Sequence, residues 1–488
     1  MKTQISIATN VATQSIPTKR RLSAWTLAAL TLLLLVSTTA MRAQSPDLSS
    51  PANGTVIIPE SSVARPEDAG VRVHTNTQIF IPAGQNQAFT SSLPNGETPA
   101  SIACAYQLVP GPYPAGCKKS GSGAATKLPT GGSGVIAIVD ACDAPNIVSD
   151  LTAFSTTFGL PVPTSSTFHK VEVGAFVALY CPSVGWAQEE TLDVEWAHAM
   201  APNADIVLVE AASPLVPDML QAEEVATGII AFNGGAPFSG TSYCGAFQFV
   251  CQGQISNSWG SGEFAGETAY DHYFHLDGFP VCSGGICDTP IHGNVTYFAA
   301  AGDKPGVSYP SAALSVVSAG GTTINRDLSG NFLYESAWRL TGGGASAYEP
   351  LPPYQGYLSA VQFAGSLTKR ATPDLGCVAD PSSGVDVYFS YPGSGAGWLI
   401  FGGTSVCTPV LAGIVNSASN FLNETSLFNE HSLLYAEYLG AFSYPSEFTD
   451  VRRGTCGPPF PPAPGGYTAG VGYDFCTGIG SPKTLIGK

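Results

Sequence analysis

A single serine stands where the local sequence favours a nucleophile. Gly403, Thr404 and Ser405 lead into the apolar run 410–415, which predicts a tight turn followed by a buried helix. Unpaired N–H groups at a helix N-terminus favour negative charge, and the tetrahedral intermediate of acyl transfer is an anion. Ser405 is therefore a candidate nucleophile. The alternative is a helix cap, since a serine at this position commonly does no more than accept backbone N–H groups.

Two carboxylates four residues apart form a candidate base for such a serine. Glu189 and Asp193 lie on the predicted helix 187–200, and their spacing places them on one helix face. Two carboxyl groups in contact share a proton, which raises the pKa of one of them. Such a pair can act as general base at low pH, where an imidazole is protonated. Acids early in a helix also complement its dipole, which is how we interpret Glu190 and Glu195.

A third acid follows an apolar strand. Asp303 lies directly after Gly302, at the end of the apolar stretch 298–301. A carboxyl group kept protonated by burial or by low ambient pH can donate a hydrogen bond to a developing oxyanion. The alternative is an ordinary loop cap. A carboxylate base and a carboxylic-acid donor agree with each other, because both belong to an enzyme that works in acid.

Short apolar strands alternate with helices from about Thr98 onward. The predicted strands are 134–139, 205–209, 254–258, 295–301 and 314–319, and the predicted helices include 147–158 and 187–200. Such alternation indicates an α/β fold, a parallel sheet with helices on both faces, in which chemistry collects at the carboxyl ends of the strands. Residues 98–488 are predicted to form one domain. Residues 44–97, with one strand-like run at 77–82, are interpreted as an N-terminal arm or vestigial leader.

Composition and the N-terminus limit location and partners. The chain has 488 residues and a net charge of −16, so neither nucleic acid nor an anionic membrane surface is expected as a partner. Basic residues at 19–21 precede the apolar run 24–36, and small residues follow up to Ala43. These features predict a secretory signal peptide at 1–43, and the run is short for a membrane span. An uncleaved anchor is the alternative; otherwise the protein is secreted, with no membrane association beyond export.

Twelve cysteines in an exported chain predict disulfides. Close spacing suggests four local pairs: Cys104–Cys117, Cys244–Cys251, Cys282–Cys287 and Cys456–Cys476. The remaining cysteines have no obvious local partner: Cys142, Cys181, Cys377 and Cys407. Zinc is less favoured, because the chain contains no C-x-x-C pair.

The order of these motifs resembles the sedolisin family, the serine-carboxyl peptidases. The resemblance covers about Thr98 to the C-terminus and is carried by Glu189-x-x-x-Asp193, Ser256-x-Ser258-Trp259-Gly260, Ala-Ala-Gly-Asp ending at Asp303, Ala319-Gly320-Gly321-Thr322-Thr323, Gly342-Gly343-Gly344, Pro373-Asp374 and Gly-Thr-Ser ending at Ser405. It implies a subtilisin-like fold in a single large catalytic domain. It also implies that Ser405 is the nucleophile, that Glu189 is its general base, that Asp193 orients Glu189 and that Asp303 is the oxyanion donor beside the Ser405 N–H.

Further roles come from the same resemblance. Asp140, at the end of the first strand, is similar to the family's auxiliary acid, usually a glutamate. Trp259 is similar to the tryptophan that helps link this acid to the glutamate–aspartate pair. In the C-terminal part, the resemblance implies one structural Ca²⁺ held by the following ligands: the side chains of Asp450 and Asp474 and the carbonyls of Val451, Gly470 and Gly472. An all-oxygen cage suits calcium, and a turn-rich terminus without metal is the alternative.

The expected function is that of a secreted, acid-active endopeptidase, a monomer that cleaves protein or peptide substrates through an acyl-enzyme. The family normally has a large propeptide that assists folding and blocks the site. Only residues 44–97 stand between the predicted signal peptide and the domain, which leaves activation by removal of a pro-segment open.

Two other functions compete. A subtilisin-type Ser-His-Asp protease shares the Gly-Thr-Ser motif, and Asp140 ends the first strand, but that enzyme needs a histidine base, usually introduced by His-Gly-Thr. His198 lies inside the carboxylate helix without that context, and His292 lies in a loop-like stretch. A catalytically inactive secreted binding protein that retains the fold is the second alternative. Only the short leader favours it, since all four presumed catalytic positions are filled.

Overall fold

Strands and helices alternate along the chain in a computed structural model of the protein. The structure describes residues 54–84, 93–176, 181, 184–233, 252–274, 280–283, 286–290, 294–393, 395–418, 429–440, 444–457 and 466–485. All of them belong to the unit Pro51–Lys488. The predicted signal peptide, 1–43, lies outside the described residues. Among the helices that the structure describes, none has the length and apolar character needed to cross a membrane.

The bounds of the elements are as follows. The strands are β1 (Gly54–Ile57), β2 (His74–Thr75), β3 (Gln78–Pro82), β4 (Val135–Ala141), β5 (Phe168–Val173), β6 (Asp205–Ala211), β7 (Gln252–Asn257), β8 (Trp259–Gly262), β9 (Pro280–Ser283), β10 (Ile286–Pro290), β11 (Asn294–Ala300), β12 (Ser308–Tyr309), β13 (Val316–Arg326), β14 (Phe332–Ala337), β15 (Gly344–Pro350), β16 (Lys369–Thr372), β17 (Leu375–Val378), β18 (Val385–Tyr391), β19 (Gly395–Gly402), β20 (Phe448–Thr449), β21 (Thr455–Cys456), β22 (Tyr467–Thr468) and β23 (Ser481–Pro482). The α-helices are α1 (Pro99–Ala105), α2 (Ile147–Phe158), α3 (Val184–Met200), α4 (Val216–Asn233), α5 (Gly356–Val361), α6 (Thr404–Ala418), α7 (Asn429–Leu439) and α8 (Tyr444–Glu447). Short 3-10 helices cover Glu60–Ser62, Pro66–Asp68, Glu267–Phe274, Pro353–Gln355 and Pro381–Ser383.

The largest sheet is parallel except at one edge. Its strand order is β14-β13-β11-β7-β4-β6-β5, β17 pairs with β13 as well, and β14 runs antiparallel to β13. Every residue of β4 is buried, as expected for a central strand covered on both faces. The predicted α/β class, a mainly parallel sheet with helices on both faces, is confirmed.

Alternate residues of β4 face two different helix layers. Ile136 and Ile138 share a hydrophobic cluster with residues of α3 and α6, whereas Val135 and Val139 cluster with residues of α4. Side chains alternate along a strand with a period of two. Asp140 therefore projects to the same side as Ile138, toward the helix that carries the two predicted catalytic carboxylates.

Helix α6 runs through the core beside α3. Its residues are buried from Thr404 to Ser417, and a helix that is buried on all sides is typical of a protein core. The two helices approach closely, because a Cβ atom added at Gly413 would lie 2.5 Å from the Cβ of Met200. This contact lies toward the C-terminal ends of both helices. The N-terminal halves of the same two helices carry Ser405 and Glu189.

The N-terminal arm joins the fold through a second sheet. That sheet is antiparallel and has the order β1-β3-β19-β18. The strand predicted at 77–82 is β3, and its residue Gln78 pairs with Gly402 at the end of β19. Because Ser405 follows Gly402 by three residues, this pairing carries the N-terminal segment next to the predicted nucleophile.

Four disulfides are present among the described residues. Two of them are predicted local pairs, which are thereby confirmed: Cys104–Cys117 and Cys456–Cys476. The other two join the cysteines that have no local partner: Cys142–Cys181 and Cys377–Cys407. The disulfide bonding expected from the cysteine count is therefore confirmed for these eight cysteines.

Two further predicted pairs stay predictions. Cys244 and Cys251 lie outside the described residues. Cys282 and Cys287 are register partners in the hairpin that β9 and β10 form, so their backbones face each other.

Candidate active site

Ser405 lies in the first turn of α6, where a glycine is required before it. Gly403 has a φ of +104°, and a Cβ atom there would lie 1.9 Å from the carbonyl oxygen of Asn76. Only glycine satisfies both conditions without strain. Ser405 itself has no exposed surface. The sequence thus predicts the turn and the helix correctly, and the structure adds that another segment of the chain covers the serine.

The hydroxyl of Ser405 sits among backbone groups. It donates to the carbonyl of Ser258 at 3.0 Å and accepts the N–H of Asn76 at 3.1 Å. The backbone N–H of Ser405 donates to the carbonyl of Asn76, also at 3.1 Å. Both groups that acyl transfer would use, the hydroxyl and the adjacent N–H, are therefore engaged with the same N-terminal residue.

Glu189 is the acid whose position best suits a base. It is fully buried in α3, and the hydroxyl of Thr77 donates to its carboxylate. Burial raises the pKa of Glu189 well above its usual value, the charge of Asp193 raises it further, and the neighbouring hydroxyl of Ser405 lowers it in part. Burial likewise raises the pKa of Asp193, and the hydroxyl of Ser258 opposes that shift. Two adjacent buried carboxyls of this kind share a proton instead of both ionising.

Asp303 follows the end of β11 and contacts the residue before the serine. Its carboxylate accepts the N–H of Thr404 at 2.7 Å, the hydroxyl of Thr404 at 3.0 Å and the side-chain amide of Gln78 at 3.2 Å. Burial raises the pKa of Asp303 to about 7, against the lowering effect of these donors. Below that pH the group is a carboxylic acid with one O–H to donate, which is what an oxyanion donor needs.

Asp140 projects toward α3, but Trp259 does not connect it to the pair. Burial raises the pKa of Asp140 well above its usual value, and the charges of Asp193 and Glu189 raise it further. The indole N–H of Trp259 donates to the carbonyl of Val139 at 2.9 Å. Because the indole has only this donor, the linking role expected for Trp259 is wrong in this structure, and the residue instead holds the end of β4.

Three consecutive N-terminal residues lie across the site, which sequence reasoning misses. Asn76 engages Ser405, Thr77 engages Glu189, and the next residue, Gln78, engages Asp303. The contact between Asn76 and Ser405 spans 329 residues of sequence. The one available signal is a run of polar residues directly before the strand-like stretch, and nothing in that run indicates its partners.

A cavity of about 290 Å³ opens beside Asp303. Its lining includes Ile58, Ser62, His74, Gln78, Asp303 and Lys304. The N-terminal segment thus forms part of the cavity wall. The cavity begins at the predicted oxyanion donor, Asp303.

The histidine considered as a rival base is committed elsewhere. A ring nitrogen of His198, Nε2, lies 2.8 Å from the carbonyl oxygen of Pro161. Burial lowers the pKa of His198. The other histidine weighed for this role, His292, lies outside the described residues.

Two carboxylates contact one glycine-rich loop near the C-terminus. Asp450 accepts the N–H of Gly472 at 3.2 Å, and Asp474 accepts the N–H of Gly470 at 3.0 Å. The guanidinium of Arg452 contacts Asp450 at 2.6 Å. Burial raises the pKa of Asp474 to about 6, opposed by the surrounding N–H groups. No three His, Cys, Asp or Glu side chains converge as a metal site in the part of the chain that the structure describes.

Comparison with known proteins identifies relatives. No protein-family profile matches the chain. The sedolisin of Pseudomonas sp. (strain 101) is 30% identical over 191 residues, which cover 37% of this chain and 29% of that protein. Kumamolisin of Bacillus sp. (strain MN-32) is 30% identical over 209 residues, covering 38% of this chain and 35% of the relative. The solved structure of Pseudomonas sedolisin, a serine-carboxyl proteinase in complex with two molecules of pseudo-iodotyrostatin, has a TM-score of 0.56 and 20% identity, and covers 80% of this chain and 96% of that one.

The chain is similar in sequence to sedolisins over 36–38% of its length, and it shares the fold of Pseudomonas sedolisin. It spans about a third or less of the length of the curated sedolisin relatives that it matches. The structural match confirms the subtilisin-like fold that the sedolisin resemblance implied. Three of the predicted catalytic residues contact the same N-terminal segment: Ser405, Glu189 and Asp303. The fourth, Asp193, lies one helical turn from Glu189.

Proposed function

We propose that the protein is a secreted serine-carboxyl endopeptidase that cleaves peptide bonds in acid through an acyl-enzyme on Ser405. The observation that carries the proposal is the environment of this serine. Its hydroxyl lies beside a buried carboxyl pair, Glu189 and Asp193, and no histidine contacts it among the described residues. Secretion rests on the sequence of residues 1–43, and protein or peptide substrates follow from the reaction class.

The first chemical step uses the side chains as follows. The Ser405 oxygen attacks the carbonyl carbon of the scissile bond while its proton passes to Glu189. Asp193 stabilises Glu189 by sharing its proton with it. The oxyanion that forms receives hydrogen bonds from the Ser405 N–H and from protonated Asp303. Collapse of the intermediate breaks the C–N bond, Glu189 returns the proton to the leaving amine, and the acyl group remains on Ser405.

Hydrolysis of the acyl-enzyme repeats these roles with water. Water attacks the ester carbon and gives a proton to Glu189, and the same donors hold the second oxyanion. When the C–O bond to Ser405 breaks, Glu189 returns the proton to the serine oxygen. Every proton taken is returned, so one water and one peptide bond are consumed per cycle.

The raised pKa values give the pH range of this chemistry. Because the pKa of Asp303 is about 7, its O–H donor is present below that pH and is lost above it. Glu189 must be ionised to act as base, so activity falls at low pH as the carboxyl pair binds its second proton. The two requirements together predict a bell-shaped profile whose active range lies on the acid side of neutrality.

The described form of the site must open before a substrate binds. The carbonyl of Asn76 accepts the very N–H that would hold the oxyanion, at 3.1 Å from the nitrogen of Ser405. A substrate carbonyl cannot use this donor while the segment is in place. We therefore include displacement of residues 76–78, by cleavage or by movement, in the proposed function. This bears on the activation step that the sequence leaves open.

The C-terminal loop is proposed to hold one structural Ca²⁺. The donor chemistry fits, since the carboxylates of Asp450 and Asp474 both contact backbone N–H groups within 470–472 and every expected ligand atom is an oxygen. The carbonyls of the remaining expected ligands would complete the set: Val451, Gly470 and Gly472. When bound, the ion supplies positive charge that fixes this loop and takes no part in the reaction.

A cleavage assay with pH as the variable tests the proposal. We expect the full chain, incubated in acid with Ca²⁺ to allow the segment to leave, to cut a denatured protein from about pH 3 to about pH 6. The Ser405→Ala variant should cut nothing under the same conditions. A profile that peaks near neutrality and is lost in His198→Ala would favour the subtilisin-type mechanism. Binding of peptides without any cleavage, even after residues 54–84 have been removed by limited proteolysis, would favour the inactive binding protein.

A further inference from the structure

A second group of carboxyls lies behind the catalytic pair. Asp140 and Glu210 are register partners at the ends of the parallel strands β4 and β6. Both follow, by two residues, side chains of the core cluster that includes α3, namely Ile138 and Leu208. By the period of two along a strand, Asp140 and Glu210 point to the same side of the sheet. They therefore lie between the sheet and the helix of Glu189.

Helix α3 adds a third member to this group. Glu190 is fully buried, as is its neighbour in sequence, Glu189. Burial raises the pKa of Glu190 well above its usual value, and the nearby charges of Glu210 and Asp140 raise it further. The carboxyl oxygens of Asp140 have no hydrogen-bond partner among the described residues. Because α3 begins at Val184 and Glu190 lies a turn and a half inside it, the interpretation of Glu190 as a complement to the helix dipole does not account for this burial.

One lysine joins the group to the surface. The ammonium of Lys170, on β5, lies 2.7 Å from Glu210 and also contacts Asp143 in the loop after β4. The side chain of Glu210 has no exposed surface, whereas those of Lys170 and Asp143 are 23% and 43% exposed. The other charged group beside Glu210 is Glu172, its register partner on β5, which is exposed.

The charges of this arrangement do not balance. The catalytic pair and the group behind it together comprise five buried carboxyls: Glu189, Asp193, Asp140, Glu190 and Glu210. Lys170 is the cation that forms an ion pair with one of them in the described structure, and its partner is Glu210. Buried carboxyls without counter-charge retain protons. Asp140 and Glu190 are therefore left to hold protons between an ionised Glu210 and the catalytic pair.

We propose that Glu210 and Lys170, acting through Asp140 and Glu190, are positioning residues that set how readily the catalytic carboxyl pair gives up a proton. The inference rests on the proposed function and deepens it. Lys170 keeps Glu210 ionised at the end of the group nearest the surface. The negative charge of Glu210 then makes it harder for Glu189, at the other end, to ionise. Neither residue touches the substrate.

Charge-removing variants separate the effect of the Glu210 charge from that of the Lys170–Glu210 pair. Glu210→Gln removes the outer negative charge and leaves Lys170, so Glu189 ionises more readily and the acid limb of kcat/KM moves down by about half to one pH unit. Lys170→Met leaves Glu210 buried without a counter-charge, so Glu210 retains a proton and the limb stays close to its wild-type position. The double variant Lys170→Met/Glu210→Gln removes both charges and should return close to the wild-type limb. A residue with a purely structural role would lower activity at every pH without moving the limb.

Glu195→Gln is the matched control. Glu195 lies on the same helix and is equally buried, but its carboxylate accepts the N–H of Tyr388 at 3.0 Å on another side of α3. Its loss should leave the limb in place. If Glu210→Gln fails to fold, Glu210→Met carries the test, because it removes the same charge and leaves Lys170, which is partly exposed.

A second measurement does not require activity. In the Ser405→Ala background, the infrared carbonyl band of protonated carboxyl groups is followed from about pH 3 to about pH 8. Subtracting the same titration of Ser405→Ala/Glu189→Gln leaves the steps that depend on Glu189, and these belong to the Glu189–Asp193 pair because the two carboxyls share a proton. The midpoint of these steps should move down with Glu210→Gln and stay close to that of Ser405→Ala with Lys170→Met.

The two measurements separate the two proposals. An unchanged infrared midpoint in Glu210→Gln would overturn the inference whether or not the wild type cleaves peptides. Absence of cleavage by the wild type, with midpoints that shift as expected, would overturn the proposed function alone.

Discussion

Two carboxyl groups of this molecule are equally buried, but their pKa values are shifted in opposite directions. Glu189 and Asp374 both have no exposed surface. Burial raises the pKa of Glu189, and the charge of Asp193 raises it further. Burial acts in the same sense on the pKa of Asp374, but Arg370 and His431 more than reverse it and hold that pKa well below the usual range. The neighbouring cation, not the depth of burial, decides the outcome.

The surroundings of the two sites explain the contrast. Asp374 accepts hydrogen bonds of 2.8 Å from three donors: the guanidinium of Arg370, the hydroxyl of Tyr435 and the N–H of Ser318. Among the described residues, no lysine or arginine forms an ion pair with Glu189 or Asp193. Asp374, which stabilises the fold, has a cation as its partner and is ionised. Glu189 and Asp193, which are proposed for catalysis, have no such cation and therefore retain a proton between them.

The largest effect on the rate is expected from replacing Glu189, the carboxyl that has no cation as partner. Glu189→Gln keeps the shape of the side chain and removes the base, so kcat should fall by about 10²- to 10⁴-fold. The measurement is kcat and KM on a short peptide at the optimum pH. Glu195→Gln, on the same helix and as deeply buried, serves as control and should stay within a few-fold of wild type. Near-normal kcat in Glu189→Gln would mean that the base has been assigned to the wrong residue.

Removing the cation from the paired site should affect stability instead of rate. Arg370→Met takes from buried Asp374 its guanidinium partner and leaves His431 at 3.4 Å, and breaking this buried ion pair costs about 3 to 5 kcal/mol of unfolding free energy. Urea unfolding at about pH 6 measures the loss. Lys369→Met, at the adjacent and partly exposed position, is the control and should change little. Wild-type stability in Arg370→Met would show that Asp374 does not depend on this cation.

The residues of the candidate site could be predicted from local sequence, and the segment that covers them could not. Ser405, Glu189 and Asp303 follow a glycine turn, a helical spacing and a strand end, which are features of short segments. The predicted helix 147–158 matches the observed bounds for the same reason. The covering residue Asn76 meets Ser405 across 329 positions, and this contact depends on how β3 pairs with β19. No local pattern carries that information.

The disulfides show the same division. The two confirmed local pairs close loops of 13 and 20 residues and could be proposed from spacing: Cys104–Cys117 and Cys456–Cys476. The other two are 39 and 30 residues apart, with whole elements between their cysteines: Cys142–Cys181 and Cys377–Cys407. Their pairing follows from the packing of those elements. Sequence spacing therefore predicts a disulfide only where the loop it closes is short.

Opposite pKa shifts should also give opposite pH dependences of stability. The pKa of Asp303 is raised to about 7, so its contribution is fully present below about pH 4 and is lost as the pH rises through 7. The lowered pKa of Asp374 gives a contribution that is present above about pH 4 and is lost in stronger acid. Asp303→Asn should flatten the decline in unfolding free energy between about pH 4 and about pH 7, by at most about 4 kcal/mol. Thermal unfolding at several pH values measures it.

The control for this prediction is an aspartate without burial. Asp327 is solvent-exposed and accepts only local hydrogen bonds, so Asp327→Asn should leave the slope between these pH values unchanged. A wild-type slope retained in Asp303→Asn would show that other groups, such as the Glu189–Asp193 pair, cause the decline. The contrast in pH dependence of stability would then hold between Asp374 and the Glu189–Asp193 pair, and would not include Asp303.

The smallest effect is expected at the C-terminal loop, where a metal ion instead of a side-chain cation would supply the counter-charge. Asp450 already contacts Arg452, but the Arg452 side chain is 58% exposed and gives little stabilisation of its own.

Ca²⁺ at about a hundred times its dissociation constant should raise the unfolding free energy by about 2.7 kcal/mol, and Asp450→Ala should abolish this response. Melting temperatures with Ca²⁺ and with chelator measure it, and Asp380→Ala, at an acid that caps a 3-10 helix elsewhere, should respond like wild type. Equal melting temperatures of the wild type in both buffers would remove the ion from the proposal. The loop would then depend on the N–H groups that already surround Asp474.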